Sequence, residues 1–323
     1  MPTTARAYAK INLGLYIGPL RASGFHELRT IYQTIALHDT VRVSLGSGTG
    51  VEVRCKTPGV PLDESNTCCR VAERVMKALK QRGKVVIQIE KNLPVQGGLG
   101  AASSDAVGTL LALERELQMP LAAEDKLAIA ADVGSDLPLF LVGGTVLGVG
   151  RGEEVFPLQD LPQMPMVVVM PEAGVSTPKA FADWDALAAQ QGAELTGESG
   201  AARMNMFSRT AFAWLTGSLS GVPAKGRDRA ETPLLDLVRA GIENDFERVV
   251  FPQYPELREV KRKLEREGAR YASLSGSGSA LYGLFDSPEA AEQAAVKLNA
   301  QGMPAQVTTL LRRCEYWKQM FGD

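Results

Sequence analysis

Between a strand-like run, Lys84 to Glu90, and a helical run with apolar residues at Val107, Leu110, Leu111 and Leu117, the chain reads Pro94-Val-Gln-Gly-Gly-Leu-Gly-Ala-Ala-Ser-Ser104. No other segment constrains the fold as much. Residues this small let an anion approach the backbone, and the free N–H groups and positive dipole end of the following helix attract phosphate oxygens. The loop lacks the Gly-Lys-Ser/Thr ending of the common P-loop, so a phosphate lysine comes from elsewhere or is absent. The plainer alternative is a Gly-rich turn closed by a Ser N-cap. A second tract, Ser273-Leu-Ser-Gly-Ser-Gly-Ser-Ala280, lies between two strand-like runs in the distant C-terminal half. A tight hairpin uses fewer small residues than Ser275 to Ala280 supplies. Two such loops, far apart in sequence, point to a ligand clamped between them.

The chain has 323 residues, 45% apolar and 22% charged, beyond the roughly 250–300 residues at which one core stops growing. Two packed domains are expected, 1–160 and 161–323, and no internal repeat is visible. Strand-like runs fill the opening: Arg6 to Ile17, Leu28 to Leu37, Thr40 to Leu45 and Val51 to Cys55, which reads as an antiparallel sheet. Helical spacing begins after Asn66, a plausible N-cap, with Val71, Val75, Met76 and Leu79. Short helical spacing from Ala122 to Ala131 and strand-like runs Gly143 to Gly150 and Val167 to Met170 follow. The stretch 190–232 reads as peripheral insertion and loop, with a possible helix over 201–215. Beyond it the order is helix (Pro255 to Glu267), strand (Tyr271 to Ser275), strand (Ala280 to Phe285), helix (Pro288 to Asn299) and strand (Pro304 to Leu310). That order resembles the later part of a ferredoxin-like unit.

Charge excludes some partners. With 35 Lys+Arg against 37 Asp+Glu there is no global positive field to hold nucleic acid or an anionic membrane. The longest apolar stretch, Leu137 to Val149, is shorter than the roughly 18 residues of a membrane span and is broken by Pro138, Gly143 and Gly144. Cys55, Cys68, Cys69 and Cys314 have no zinc-site spacing and are too sparse to staple the chain. They read as reduced thiols in a cytoplasmic protein, expected to be a monomer or weak homodimer.

Lys10 interrupts an alternating apolar strand and is followed by Ile11 and Asn12; the plain reading is a lysine on a solvent face. Asp136, in Gly134-Ser-Asp-Leu-Pro138, reads plainly as a helix cap or turn aspartate. Taken together, Ala9-Lys-Ile-Asn-Leu13, Gly24-Phe-His-Glu-Leu28, Pro94 to Ala106, Gly134 to Pro138 and Leu274 to Ala280 stand in the order and spacing of the GHMP kinase superfamily, which the chain resembles from about residue 5 to residue 310. The resemblance implies an α+β, two-domain GHMP kinase fold. Its N-terminal nucleotide domain would be ribosomal protein S5 domain 2-like and its C-terminal domain ferredoxin-like, with the active site in the cleft between them.

The implied activity is ATP-dependent phosphorylation of the 2-hydroxyl of 4-diphosphocytidyl-2-C-methyl-D-erythritol, in the non-mevalonate route to isoprenoid precursors. The alternatives are another small alcohol, such as mevalonate or homoserine, or a non-catalytic nucleotide-binding protein. By the resemblance, Asp136 accepts the proton of the hydroxyl, and Lys10 holds that carboxylate ionised and stabilises the alkoxide. Pro94, Gly97, Gly98, Leu99, Gly100, Ala101, Ala102, Ser103 and Ser104 cradle the phosphates, and Asn66 contacts the adenine side. The acceptor falls to Asn12, Phe25, His26, Tyr32, Thr177, Pro178, Phe181, Gly276, Ser277 and Gly278, its cytosine lying against Phe25, His26 and the 177–181 segment. Mg²⁺ is expected with ATP, with no protein ligand assigned. Three departures stand out: Ala101 and Ala102 where Gly is common, Asp105 where Asn is common, and Phe25 in place of a tyrosine. Asp105 then either points away from the phosphates or helps place the metal.

Overall fold

Alternating small and branched apolar residues from Ala5 to Ile17 build the first strand. In the computed structural model this strand, β1 (Thr3–Leu20), is buried almost continuously from Ala7 to Ile17. The structure describes residues 2–191, 202, 204, 205, 207 and 242–322. β1 pairs antiparallel with β2 (His26–Gly46), a single long strand where the sequence reads as two. The polar break at His38 and Asp39 does not turn the chain, because Asp39 is buried and its Oδ1 accepts the backbone N–H of Asn92 (2.6 Å) and Leu93 (2.8 Å).

The opening sheet is not wholly antiparallel, contrary to the expectation. β3 (Gly50–Cys55) runs parallel to β4 (Lys84–Glu90), since α1 (Thr67–Ala78) carries the chain between them as a crossover. With β5 (Thr145–Val149) and β6 (Glu154–Pro157) the order is β3-β4-β2-β5-β6, and β1 joins on β2. α2 (Ala101–Leu117) packs on β1 and β2, and α3 (Ala123–Val133) and the single turn α4 (Leu137–Phe140) close that layer.

The second sheet contains β7 (Pro165–Val169), β8 (Tyr271–Leu274), β9 (Leu281–Leu284) and β10 (Ala305–Thr309) in the order β10-β7-β9-β8, every pair antiparallel. This is the strand order of a ferredoxin-like unit. Its helices are α5 (Thr177–Gln191), α6 (Glu247–Gln253), α7 (Pro255–Arg266) and α8 (Pro288–Ala300). α5 had no counterpart in the sequence reading. The expected insertion over 190–232 and helix over 201–215 lie largely outside the described residues. After β10 the chain returns to the first sheet as α9 (Arg313–Gln319), where Tyr316 Oη donates to the Phe140 carbonyl (2.6 Å) and Arg6 N–H to the Met320 carbonyl (2.7 Å).

The two sheets meet at β1. Ala9, Ile11 and Leu13 share a core with Met166, Val168, Tyr282 and Leu284 from the second sheet. Each fully buried branched side chain there stabilises the junction by about 1.5–3 kcal/mol. Residues 243–245 add to it: Leu15 N–H donates to Glu243 O (3.0 Å) and Asp245 N–H to Leu15 O (2.9 Å). Among the described residues no helix is long and apolar enough to cross a membrane. All four cysteines are free.

Candidate active site

Lys10 is not on a solvent face. Because β1 is covered on both sides, its side chain is buried, and β-bulges between Tyr8 and Lys10 and between Asn12 and Gly14 turn this stretch of the strand. Lys10 Nζ donates to Asn12 Oδ1 (2.7 Å), two residues along the same strand, and lies 3.4 Å from Asp136 Oδ2. Asn12 Nδ2 donates onward to Thr30 Oγ1 (2.7 Å). Asp136 stands at the start of α4, but its side chain makes no capping bond, which removes the helix-cap reading. Its Oδ1 instead accepts from Tyr32 Oη (3.0 Å), and 32% of its side chain is exposed. Burial, aided by the Asp136 charge, pushes the Tyr32 phenol well above its ordinary range and keeps it a donor.

The phosphate-loop candidate opens directly onto this cluster. Gly100 is the N-cap of α2, left-handed (φ 70°) and without a side-chain cap, so no Ser caps the helix and its first amides stay uncapped by side chains. A Cβ at Gly100 would lie 2.9 Å from Lys10 Cγ and 3.0 Å from Phe140 Cζ. Leu99 is buried, and its carbonyl accepts the Lys10 N–H (2.9 Å). The second small-residue loop closes on the first from the other sheet: Ser275 Oγ donates to Gly98 O (2.9 Å) and Ala280 N–H to Gly97 O (3.0 Å). Gly98 has φ 76°, and a Cβ there would overlap the Ser275 carbonyl. A cavity of about 360 Å³ lies over Pro94 to Ser103, with Val175 to Pro178 and Gly278 on its other wall. Ser104 is buried beneath it.

A larger cavity, about 710 Å³, continues from the smaller one; Gly98, Ser103, Thr177 and Pro178 line both. It brings Lys10, Asn12, Tyr32 and Asp136 onto one surface with Phe25, His26, Phe181, Gly276 and Ser277. Ser277 Oγ and Thr177 Oγ1 are hydrogen-bonded (2.7 Å). Phe181 stacks parallel to His26 (centroids 5.4 Å, 6° between planes), whereas Phe25 is 50% exposed and carries the Arg151 guanidinium 5.0 Å from its ring centroid.

Asn66 lies apart, on a small cavity of about 120 Å³ with Lys91, Ala102 and Asp105. It caps α1 as the sequence indicated: Oδ1 accepts Cys68 N–H (2.8 Å) and Nδ2 donates to Pro61 O (2.6 Å). Asp105 is buried in an ion cluster with Lys91 (2.8 Å), which also pairs with Asp39. Burial above all, with the Asp39 charge and against the pull of Lys91, raises the Asp105 carboxyl to about 7. Of the two expectations for Asp105, the structure gives the first.

Four residues of the site escaped the sequence reading. Asn244, buried, donates through Nδ2 to Leu274 O (2.9 Å) and Gly276 O (2.7 Å) and so holds the second loop. Tyr282 Oη donates to Asn12 O (2.7 Å) across the sheet junction. Arg151 and Asp185 line the larger cavity. Asn244 and Tyr282 act through long-range contacts that leave no local pattern. Asp185 had a signal, since it follows Phe181 by one helical turn.

The fold is that of a GHMP kinase: the models of the GHMP kinases N terminal domain and C terminal domain match residues 66–144 and 230–303. Over 284 residues the chain is 40% identical to a 4-diphosphocytidyl-2-C-methyl-D-erythritol kinase of Solibacter usitatus (strain Ellin6076), covering 87% of this chain and 80% of the relative. It is 34% identical to the protein of that name in Desulfitobacterium hafniense (strain Y51), covering 95% of each. A solved structure of 4-(cytidine 5'-diphospho)-2C-methyl-D-erythritol kinase superposes with a TM-score of 0.69 at 31% identity, over 95% of this chain and 98% of the other. The chain belongs to the 4-diphosphocytidyl-2-C-methyl-D-erythritol kinase family.

Proposed function

We propose that the protein transfers the γ-phosphoryl group of ATP to the 2-hydroxyl of 4-diphosphocytidyl-2-C-methyl-D-erythritol, giving the 2-phosphate and ADP. The observation that carries this reading is the convergence of Lys10, Asp136 and the uncapped start of α2 on one cavity surface, next to a second cavity over the Gly-rich loop. Phosphoryl transfer passes through a loose transition state, so catalysis is mainly positioning and charge compensation.

Asp136 takes the proton of the acceptor hydroxyl as its oxygen bonds to the γ-phosphorus and ADP leaves. Tyr32 and Lys10 hold that carboxylate in place. Lys10 is itself oriented by Asn12 and also lies against Gly276, where its Nζ would be 3.4 Å from an added Cβ. The amides around Gly97 to Ser103 receive the phosphate oxygens. When Mg²⁺ is bound with ATP it neutralises charge on the phosphates; the oxygen donors suited to it here are Ser103, on both cavities, and Asp136. Phe25, His26 and Phe181 hold the cytosine, and Arg151 faces the diphosphate. Asn66 and the small cavity beside it receive the adenine side.

ATP consumption measured against a panel of acceptors tests the reading. Turnover is expected with the cytidine-diphosphate-linked acceptor and not with mevalonate or homoserine. Turnover on either small alcohol, with none on the cytidine compound, would overturn it.

A further inference from the structure

Every polar atom of the buried Asn244 side chain is committed. Nδ2 donates to the carbonyls of Leu274 (2.9 Å) and Gly276 (2.7 Å), and Oδ1 accepts the Phe246 N–H (3.0 Å). Its neighbours tie the same segment to β1: Leu15 N–H donates to Glu243 O (3.0 Å), Asp245 N–H to Leu15 O (2.9 Å) and Ile17 N–H to Asp245 Oδ2 (2.8 Å). On the other side, Glu247 Oε1 accepts the Ser273 hydroxyl (2.8 Å) and the Leu274 N–H (2.9 Å). Residues 243–247 therefore join the strand that carries Lys10 to the strand and loop that face it.

One of the carbonyls that Asn244 holds belongs to the cavity wall. Gly276 lines the 710 Å³ cavity in a left-handed conformation (φ 56°), and a Cβ there would lie 3.4 Å from each of Gly98 Cα, Gly98 O and Lys10 Nζ. It is wedged between the first small-residue loop and the buried ammonium. Lys10 Nζ has three N–H bonds to give. Asn12 Oδ1 takes one (2.7 Å), and Asp136 Oδ2 stands 3.4 Å away. A neighbouring backbone carbonyl with no donor of its own would compete for that ammonium, since hydrogen bonds to a charged donor are the strong ones and a buried acceptor left unpaired is costly.

We propose that Asn244 is a positioning residue for phosphoryl transfer: by holding the Gly276 carbonyl it seats Gly276 between Gly98 and Lys10, and keeps the ammonium on Asp136 and the reacting oxygens. Asn244 touches neither substrate nor phosphate in this arrangement and acts through Lys10. The inference rests on the reading that Lys10 takes part in the transfer. A shift of about 1 Å in such a group can cost on the order of 10²-fold in rate.

The test is a double-mutant cycle on single-turnover transfer to 4-diphosphocytidyl-2-C-methyl-D-erythritol, with Asn244→Ser placed in the wild type and in Lys10→Met. In the wild-type background Asn244→Ser should lower the rate by about tenfold or more, chiefly in kcat, with each KM held within about threefold. In the Lys10→Met background the same substitution should cost less than about threefold, because the group it positions is gone. Asn244→Asp, which has the same shape but no N–H to give, runs the cycle again and covers a failure of Asn244→Ser to fold. An equal loss in both backgrounds, or a loss confined to KM, overturns the inference and leaves the proposed activity standing. Lys10→Met at the wild-type rate overturns the part given to Lys10, and this inference with it; a wild type that makes no transfer overturns the activity as well.

Discussion

Asp105 shows how a single residue beside a Gly-rich loop can be charged in sequence and yet take no part in the two cavities over that loop. It shares Lys91 with Asp39 inside the protein, and burial holds its carboxyl up to about 7. The folded state therefore keeps a proton that the unfolded chain releases near the ordinary carboxylate range, and stability from this residue declines as pH rises toward 7. Asp105→Asn removes the buried charge and leaves Lys91 paired with Asp39. Its thermal stability should exceed the wild type's at pH 8 by on the order of 2 kcal/mol, with a smaller difference at pH 5. A difference that grows as pH falls would contradict this account. Lys10 and Asp136 carried a visible sequence motif, but the burial of Lys10 did not show, because it depends on a second sheet covering β1. Asn244 and Arg151 were silent for the same reason: what each does is decided by residues far away in the chain.

At the scale of elements, periodicity located α1, β4, α7 and α8 well, since each has one covered face and a clear cap or breaker. It failed where tertiary contacts override local punctuation. β2 runs through a polar break that Asp39 satisfies with the backbone of Asn92 and Leu93, and β3 takes its parallel direction from the crossover through α1. The two small-residue loops were legible as a pair, while their direct contact was not. That contact supplies a prediction. In Gly98→Ala the new methyl meets the Ser275 carbonyl, whereas in Gly48→Ala, also at positive φ (104°), nothing lies within 4 Å. Both variants should carry about 1–3 kcal/mol of backbone strain. Only Gly98→Ala should also lose phosphoryl transfer, by on the order of 10²-fold, because it separates the loops that frame the cleft. Equal activity in the two variants would show that the loop contact has no part in turnover.

For the whole molecule, length and composition anticipated two packed units, and the ferredoxin-like order of the second sheet was readable from the succession of strands and helices after residue 255. The return of the last helix to the first sheet was not, because Tyr316 packs against residues more than a domain away: its hydroxyl bonds Phe140. The cleft is a product of this arrangement. β1 brings Lys10, α4 brings Asp136, α2 brings its uncapped amides, and the second sheet lays its own small-residue loop across them. The most direct test is single-turnover transfer of labelled γ-phosphoryl from ATP to 4-diphosphocytidyl-2-C-methyl-D-erythritol, with both ligands saturating, in the wild type and Asp136→Asn. Transfer by the wild type and a rate lower by about 10²–10⁴-fold in the variant are expected, with both ligands still bound. An Asp136→Asn enzyme that transfers at the wild-type rate would contradict the account.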